Sequence, residues 1–180
     1  MNKTLLIILS VCVVCAITFF GYRKFTKSFS PESQAEFKSS QLDVKATFSR
    51  PGKKGRFIFG REQDKALVPY GKVWRTGANE ATVIEIGQGV LFAGKPVAAG
   101  TYSLWTIPGQ GSWEVILNSE TGQWGTEYND GKDILKSEIP IRIRPVVQEL
   151  FDIYFEEKQD GADMILSWDQ TEAIIPIRVR

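Results

Sequence analysis

The chain has 180 residues, with 22 Lys and Arg, 21 Asp and Glu, two Cys and no His. The absence of histidine excludes Ser-His-Asp and Cys-His nucleophile systems and the usual zinc sites built on imidazole. Beyond position 30 the acids outnumber the bases by three, so no nucleic-acid partner is expected. The length fits one domain with an appendage, and no cofactor or metal ion is predicted.

The N-terminal residues predict a membrane anchor over 1–27. Leu5–Tyr22 carries no charge, and a run of about 18 to 20 such residues crosses the hydrocarbon core of a bilayer as a helix. A cleaved signal peptide is the main alternative, but cleavage requires small residues where this chain has Phe19, Phe20, Tyr22 and Arg23. A lipoprotein is a third reading, because Leu9-Ser10-Val11-Cys12 resembles a lipobox with Val11 in place of a small residue.

The charges beside this run bear on sidedness. Lys3 and the terminal amine precede it, whereas Arg23, Lys24 and Lys27 follow it, which by itself favours a cytoplasmic C-terminal domain by one charge. Cys12 and Cys15 lie inside the apolar run, where we interpret them as small hydrophobic residues in lipid. The domain that follows has no cysteine, so cysteine usage does not assign its compartment.

The remainder predicts a flexible polar linker over 28–41 and an all-β domain over 42–180. Ten short runs rich in aromatic and β-branched residues predict an antiparallel β-sandwich, jelly-roll or Ig-like. These runs are 43–48, 82–86, 89–93, 101–107, 112–118, 133–139, 141–147, 149–156, 164–168 and 172–179. Gly87-Gln88-Gly89 and Pro108-Gly109-Gln110-Gly111 each separate two of them and predict hairpins.

A basic run lies early in the domain and contains no acid between its members. It admits two interpretations, a solvated loop and strand face or an anion-binding patch. Its members are Lys45, Arg50, Lys53, Lys54, Arg56 and Arg61.

The stretch LVPYGKVWRTGANEAT, 67–82, alternates like neither a strand nor a helix and is the first candidate site. Its fork-shaped guanidinium, two aromatic rings, amide and carboxylate suit a small polar or anionic ligand. The competing interpretation is a buried corner of the fold, in which Arg75 pairs with Glu80 and Trp74 fills the core. The candidate residues are Tyr70, Trp74, Arg75, Asn79 and Glu80.

Two other tryptophans extend the candidate set. Trp105 lies on a predicted strand whose two faces both mix polar and apolar residues, so alternation does not assign its side. Trp124 lies in a polar loop and is either an exposed stacking platform or a lid on the core. Glu80 is a weak candidate for carboxylate catalysis, which needs a second carboxylate nearby. Asn129, Asp130 and Asp133 lack the final Glu of a calcium loop, and we interpret them as a turn.

Four motifs closely resemble those of the bacterial domain of unknown function 2911 family. They are SRPGKKGRFIFG, LVPYGKVWRTGANEAT, GTYSLWTIPG and QWG, and the resemblance covers about Leu42 to Arg180. The family has no established activity to carry over. Its members look like exported or envelope proteins, so the resemblance implies an extracytoplasmic domain, against the charge bias beside the anchor.

These observations predict a single-pass envelope protein whose β domain is a non-catalytic binding or interaction module. The expected partners are the membrane, through the helix, and a polar or anionic small molecule, a glycan or an envelope protein. The alternatives are a carboxylate-dependent hydrolase of an envelope glycan, with Glu80 as base and Arg75 as anion stabiliser, and a purely structural envelope component.

Overall fold

The computed structural model describes residues 3–180, with side chains throughout except at 3–7, 20 and 22–24. Its first element is helix α1, Lys3–Ser28. Parts of the predicted apolar run, at 5–7, 20 and 22, lie outside the described side chains. Among the described residues, no helix has both the length and the apolarity needed to cross a bilayer.

Eleven strands follow in the described chain, most of them short and bounded by glycine or polar turns. They are β1 Glu32–Lys38, β2 Asp43–Ser49, β3 Phe59–Gly60, β4 Val68–Pro69, β5 Thr82–Ile86, β6 Val90–Phe92, β7 Lys95–Val97, β8 Gly100–Ile107, β9 Ser112–Asn118, β10 Asp133–Lys158 and β11 Gly161–Val179. Two single-turn 3-10 helices, Glu62–Asp64 and Asp130–Lys132, lie in the connections.

Nine strands form one antiparallel sheet in the order β1-β2-β5-β8-β9-β10-β11-β6-β7, and β3 and β4 form a separate parallel pair. The mostly β character predicted from the sequence is therefore confirmed. The hairpin predicted at 108–111 joins β8 to β9. The one predicted at 87–89 is wrong, because β5 pairs with β2 and β8 whereas β6 pairs with β7 and β11.

Strand β10 is longer than the sequence indicated, because it joins three predicted runs. Its first part pairs with β9 as far as Pro140, and from Ile141 onward it pairs with β11. Pro140, which lacks an N–H, lies where the strand changes partners and therefore does not end it. Register shifts lie between Ile143 and Gln148 and between Gln148 and Asp152, near the second predicted boundary.

The segment 28–41, expected to be a flexible linker, contains strand β1. All seven β1 residues pair with β2, from Glu32 opposite Ser49 to Lys38 opposite Asp43. Ala35 and Phe37 pack against the core, whereas Glu32, Gln34, Glu36 and Lys38, which alternate with them, are exposed. The polar composition concealed this alternation of apolar and polar positions, so the folded domain begins about ten residues earlier than predicted.

One hydrophobic core collects side chains from across the sheet order, including Val44 of β2, Leu104 of β8 and Phe92 of β6. Its centre is a cluster of five aromatic rings, made by Phe59, Trp74, Trp113, Phe151 and Trp168. A smaller core of Ala81, Trp105 and Ile116 forms separately and is covered by Ile107 and Tyr128. Aromatic burial on this scale accounts for much of the stabilisation of a domain of this size.

Candidate functional site

The candidate stretch 67–82 is fixed to the sheet at several points. Val68 pairs with Phe59 in the short parallel ladder of β3 and β4. Trp74 and Thr106 of β8 exchange two backbone hydrogen bonds, of 2.7 and 2.9 Å. The hydroxyl of Thr82 donates to the carbonyl of Thr76 at 2.6 Å. The stretch is therefore a loop of defined shape between the core and the surface.

This shape uses unusual backbone conformations. Thr76, Gly77 and Asn79 have φ of 52°, 148° and 61°. A β-carbon added to Gly77 would lie 3.0 Å from the carbonyl oxygen of Ser49. Threonine in the left-handed region is costly, so the surrounding contacts must hold the turn in place. The hydroxyl of Thr76 contacts that of Thr106 at 3.1 Å, which provides one such contact.

Trp74 belongs to the aromatic core and is only 8% exposed. Its ring stacks on Trp168 with 5.8 Å between centroids and an interplanar angle of 18°. Its indole N–H donates to the carbonyl of Gly77 at 3.1 Å. Trp74 therefore fills the core, which is one of the two interpretations considered from the sequence. Part of its side chain also lines a cavity that is described below.

Arg75 points away from that core and is half-buried. Its Nη1 donates to the backbone carbonyl of Asn79 at 3.1 Å. Throughout 3–180, no described carboxylate forms an ion pair with it, and Glu80 pairs with Lys27 instead, at 2.7 Å. Burial lowers the pKa of Arg75 below the ordinary arginine value. The predicted Arg75–Glu80 corner is therefore not what the structure contains.

The QWG motif explains how Arg75 is held. A β-carbon added to Gly125 would lie 2.2 Å from Cδ, 2.7 Å from Nε and 2.8 Å from Cβ of Arg75. The arginine stem therefore lies directly against the Gly125 backbone, which only glycine permits. The N–H of Gly125 donates to the carbonyl of Asn79 at 2.9 Å, so one carbonyl contacts both motifs.

A cavity of about 460 Å³ lies beside Arg75. Trp74 and Trp168 form part of its wall, and three cationic side chains line it, those of Lys54, Arg56 and Arg75. No acid is among the lining residues. The rest of the wall comes from three segments of the chain: Phe29 and Ser30; Pro51 and Gly52; and Leu67, Val68, Gly77 and Ala78.

The basic run divides into two groups around this cavity. Four members have carboxylate partners: Lys45 with Glu85, Arg50 with Asp152, Lys53 with Asp169, and Arg61 with Asp64. The side chains of Lys54 and Arg56, which line the cavity, form no ion pair in the part of the chain that the structure describes, although the backbone N–H of Lys54 donates to the Glu149 carboxylate at 2.7 Å. Arg56 donates instead to the carbonyls of Gly52 and Lys53. The Lys54 ammonium lies 5.2 Å from the ring centroid of Phe29, a cation–π contact.

The remaining candidate residues lie elsewhere. Tyr70 packs against the main core. Trp105 is buried in the second core, where its indole N–H donates to Ser103 at 2.9 Å and its ring contacts Tyr128. Trp124 is half-buried and forms a β-bridge with Glu80. None of these three is among the residues lining the cavity beside Arg75.

Asn79 and Glu80 connect the loop to the end of α1. The Asn79 amide donates to the carbonyl of Ser30 at 3.3 Å, and Glu80 pairs with Lys27. Glu80 lines a separate cavity of about 240 Å³, and Glu32 lies in the wall of the same cavity. A second carboxylate therefore lines the same cavity as Glu80, and Arg75 is not among the residues that line it. Over the described residues, no cluster of three or more metal-ligating side chains forms.

The cavity residues that the candidate set omitted include two cations, Lys54 and Arg56, and one aromatic residue, Trp168. The sequence analysis noted Lys54 and Arg56 only as members of the basic run. It did not separate them from the members that form ion pairs, because most of those carboxylate partners lie far away in the sequence. Trp168 comes from β11, nearly a hundred residues after Trp74, and nothing in its neighbourhood in the sequence marks it as a wall residue.

Comparison with known families identifies the chain. The model of the family described as "Protein of unknown function (DUF2911)" matches residues 30–177, and the chain belongs to that family. The match begins just before β1, which agrees with the earlier domain boundary in the structure. No curated protein and no solved structure matches the chain.

Proposed function

We propose that this member of the DUF2911 family is a membrane-anchored envelope protein whose β domain binds a small anionic ligand in the cavity beside Arg75. One observation carries the proposal: three cationic side chains line a cavity that has no acid among its lining residues, and none of the three side chains forms an ion pair with a described carboxylate. The neighbouring cations of the basic run all have such partners, so the cavity differs from the surrounding surface.

The environment of Arg75 supports a ligand. Removing a charge from water is costly unless the charge is paired, and Arg75 is partly desolvated with one backbone acceptor. Its fork presents parallel N–H groups that match the two oxygens of a carboxylate or phosphate. An anion in the cavity would supply the missing partner, and Lys54 and Arg56 would add positive potential at the mouth.

The apolar residues in the cavity wall also indicate which chemical class of anion the cavity binds. Beside the cations it presents Phe29, Leu67, Val68 and the two tryptophans. Sites of this kind orient a ligand by a few polar contacts and bind its body by apolar contact. We infer an anion with an apolar or ring-shaped portion, such as a sugar acid or a phosphoester, rather than a bare inorganic ion.

The anchor and the sandwich are part of the proposal. The uncharged run Leu5–Tyr22 within α1 supports a single membrane crossing, and the resemblance to exported proteins supports an extracytoplasmic domain. We further propose that the two parts of the sheet joined through β10 enclose the core as a sandwich. Labelling a Thr126→Cys variant in intact cells with a membrane-impermeant maleimide tests sidedness, and a domain outside the cytoplasm would react.

The binding test uses the full chain in a neutral detergent. Calorimetric titration with glucuronate and with glycerol 3-phosphate is expected to show saturable binding of at least one of them. Arg75→Gln should weaken it by roughly tenfold or more, because one charge-assisted contact contributes about 1.5–3 kcal/mol. Lys132→Gln, which removes an exposed cation outside the cavity, should bind as the wild type does. Equal binding by Arg75→Gln would refute the proposal.

A hydrolase remains the second candidate, because Glu32 and Glu80 line one cavity. Its test is release of reducing ends from an envelope glycan, with Glu80→Gln expected to abolish activity and Arg75→Gln to retain it. A purely structural role is supported by exposed apolar residues on β10 at Ile143, Val146, Val147 and Leu150. That role predicts no saturable ligand in the cavity beside Arg75.

A further inference from the structure

The geometry points to the phosphate of an anionic phospholipid, in the membrane that holds α1, as the ligand of the cavity beside Arg75. This inference rests on the proposed function, since it requires both the anchor and an anion-binding cavity. It adds the source of the anion and the face of the domain that meets the membrane.

The position of the cavity along the chain is the first reason. Helix α1 ends at Ser28, and the next two residues, Phe29 and Ser30, line the cavity. Ser28 lies six residues beyond Tyr22, where the uncharged run ends, and six helical residues span about 9 Å. The headgroup layer on each side of a bilayer is roughly 5–8 Å thick. The cavity wall therefore begins at the outer limit of the headgroups, within reach of a lysine or arginine side chain.

Contacts between the domain and the helix end keep the cavity there. Lys27 of α1 pairs with Glu80 at 2.7 Å, and the carbonyl of Ser30 accepts from Asn79 at 3.3 Å. The carbonyl of Pro31 accepts from the N–H of Arg50 at 2.9 Å. Three contacts over five consecutive residues make a short, constrained connection, so the cavity stays beside the bilayer surface instead of swinging away from it.

The surface around the cavity combines exposed apolar side chains with cations. Phe25, Phe29, Phe57 and Leu67 are 63%, 52%, 51% and 43% exposed. Phe25 and Phe29 contact each other edge to face at 5.0 Å between centroids, along the side of the helix end. Such residues insert at the boundary of headgroups and acyl chains, and nearby Lys and Arg add attraction to anionic lipids.

The chemistry of the wall favours an anionic lipid over a zwitterionic one. A phosphodiester offers two oxygens to the Arg75 fork, with Lys54 and Arg56 beside them. A zwitterionic headgroup would bring a cationic amine as well, and the wall has no acid to receive it. The Phe29 ring, a candidate acceptor for a quaternary amine, already has the Lys54 ammonium over it.

The test is lipid selectivity of the full chain reconstituted in phosphatidylcholine vesicles. Electron paramagnetic resonance with spin-labelled phosphatidylglycerol and spin-labelled phosphatidylcholine gives the relative association of each lipid with the protein. The wild type should prefer phosphatidylglycerol by roughly tenfold. Lys54→Gln and Arg75→Gln should each reduce that preference several-fold, whereas the control Lys132→Gln should keep it. Because Lys54 is exposed, Lys54→Gln does not put folding at risk. A further variant, Arg75→Lys, retains the positive charge but lacks the fork-shaped guanidinium.

Three results would overturn the inference. If the wild type shows no preference but binds glycerol 3-phosphate saturably in detergent, the ligand is a soluble anion, and the proposed function stands without the lipid. If the preference is unchanged in both cavity variants, it arises from charges elsewhere, such as the helix end. If the protein neither incorporates into vesicles nor binds the soluble anion, the proposed function fails together with the inference.

Discussion

Gly125→Ala tests whether the glycine of the QWG motif positions the side chain of Arg75. The added β-carbon would lie 2.2 Å from Cδ and 2.8 Å from Cβ of Arg75, where ordinary contacts begin near 3.4 Å. The stem must therefore move by about 1 Å or more, and because Cβ is involved, a rotation of the side-chain end alone is not enough. Overpacking of this kind costs about 1–3 kcal/mol.

The measurement is thermal unfolding of the full chain in a neutral detergent, monitored by circular dichroism and tryptophan fluorescence. A loss of that size corresponds to a lower melting temperature of about 2–4 °C per kcal/mol for a domain of this length. Gly111→Ala is the matched control, because a β-carbon there meets nothing within 4 Å. Gly125→Ala should also weaken anion binding, and by more than a loss of folded protein alone would explain, because the side chain that it displaces is that of Arg75, which lines the cavity.

A double-mutant cycle separates this contact from a general effect on the loop. Arg75→Ala removes Cδ and Nε but keeps Cβ, so it should relieve part of the cost of Gly125→Ala, giving a coupling of roughly 1–2 kcal/mol. Additivity within about 0.5 kcal/mol would mean that Arg75 does not lie against Gly125, and the placement of the guanidinium in the cavity would lose its support.

Two further predictions concern stability. Burial raises the pKa of Glu172, but hydrogen bonds from Tyr154 and Arg142 and the nearby positive charges outweigh it, so the folded pKa is lowered. Its contribution is therefore present above the unfolded pKa, about 4.3, and lost as pH falls through the folded value. Glu172→Gln should cost about 2 kcal/mol in unfolding titrations at pH 6, with the difference from wild type closing toward pH 3; a constant difference would contradict this. Gly77→Ala should lower unfolding free energy by roughly 1–3 kcal/mol in the same assay, because of its φ and the Ser49 carbonyl.

The sequence predicted what depends on local pattern. The pattern of aromatic and β-branched residues at 43–48, 82–86 and 112–118 predicted strands β2, β5 and β9. It failed at β1, where Ala35 and Phe37 are the only apolar residues among polar ones, and pairing with β2 provides the order that composition concealed. It also failed at 87–89, since a turn signal shows that the chain bends but not which strand the next segment will join.

The candidate site was predictable in part, for the same reason. Trp74 and Arg75 were identified because unusual residue types cluster in one stretch. The sequence did not show that Arg50 and Lys53 form ion pairs while the side chains of Lys54 and Arg56 do not. That difference depends on Asp152 and Asp169, which lie about a hundred residues away. Trp105 shows the converse case: a tryptophan beside polar residues was a candidate for ligand contact, and the structure places it in the second core, where Ser103 accepts from its N–H.

Each motif that resembles the family contributes to the cavity beside Arg75 or to the loop that carries Arg75. SRPGKKGRFIFG contributes Lys54 and Arg56 to the cavity, and GTYSLWTIPG holds Trp74 through Thr106. QWG provides the glycine against which Arg75 lies, while LVPYGKVWRTGANEAT provides Arg75 and the carbonyl that it contacts. A half-buried arginine without a carboxylate adds little to stability, yet the Asn79 carbonyl of its own loop and the distant Gly125 both position it. Such an arrangement is expected where the partner of the charge arrives from outside the chain.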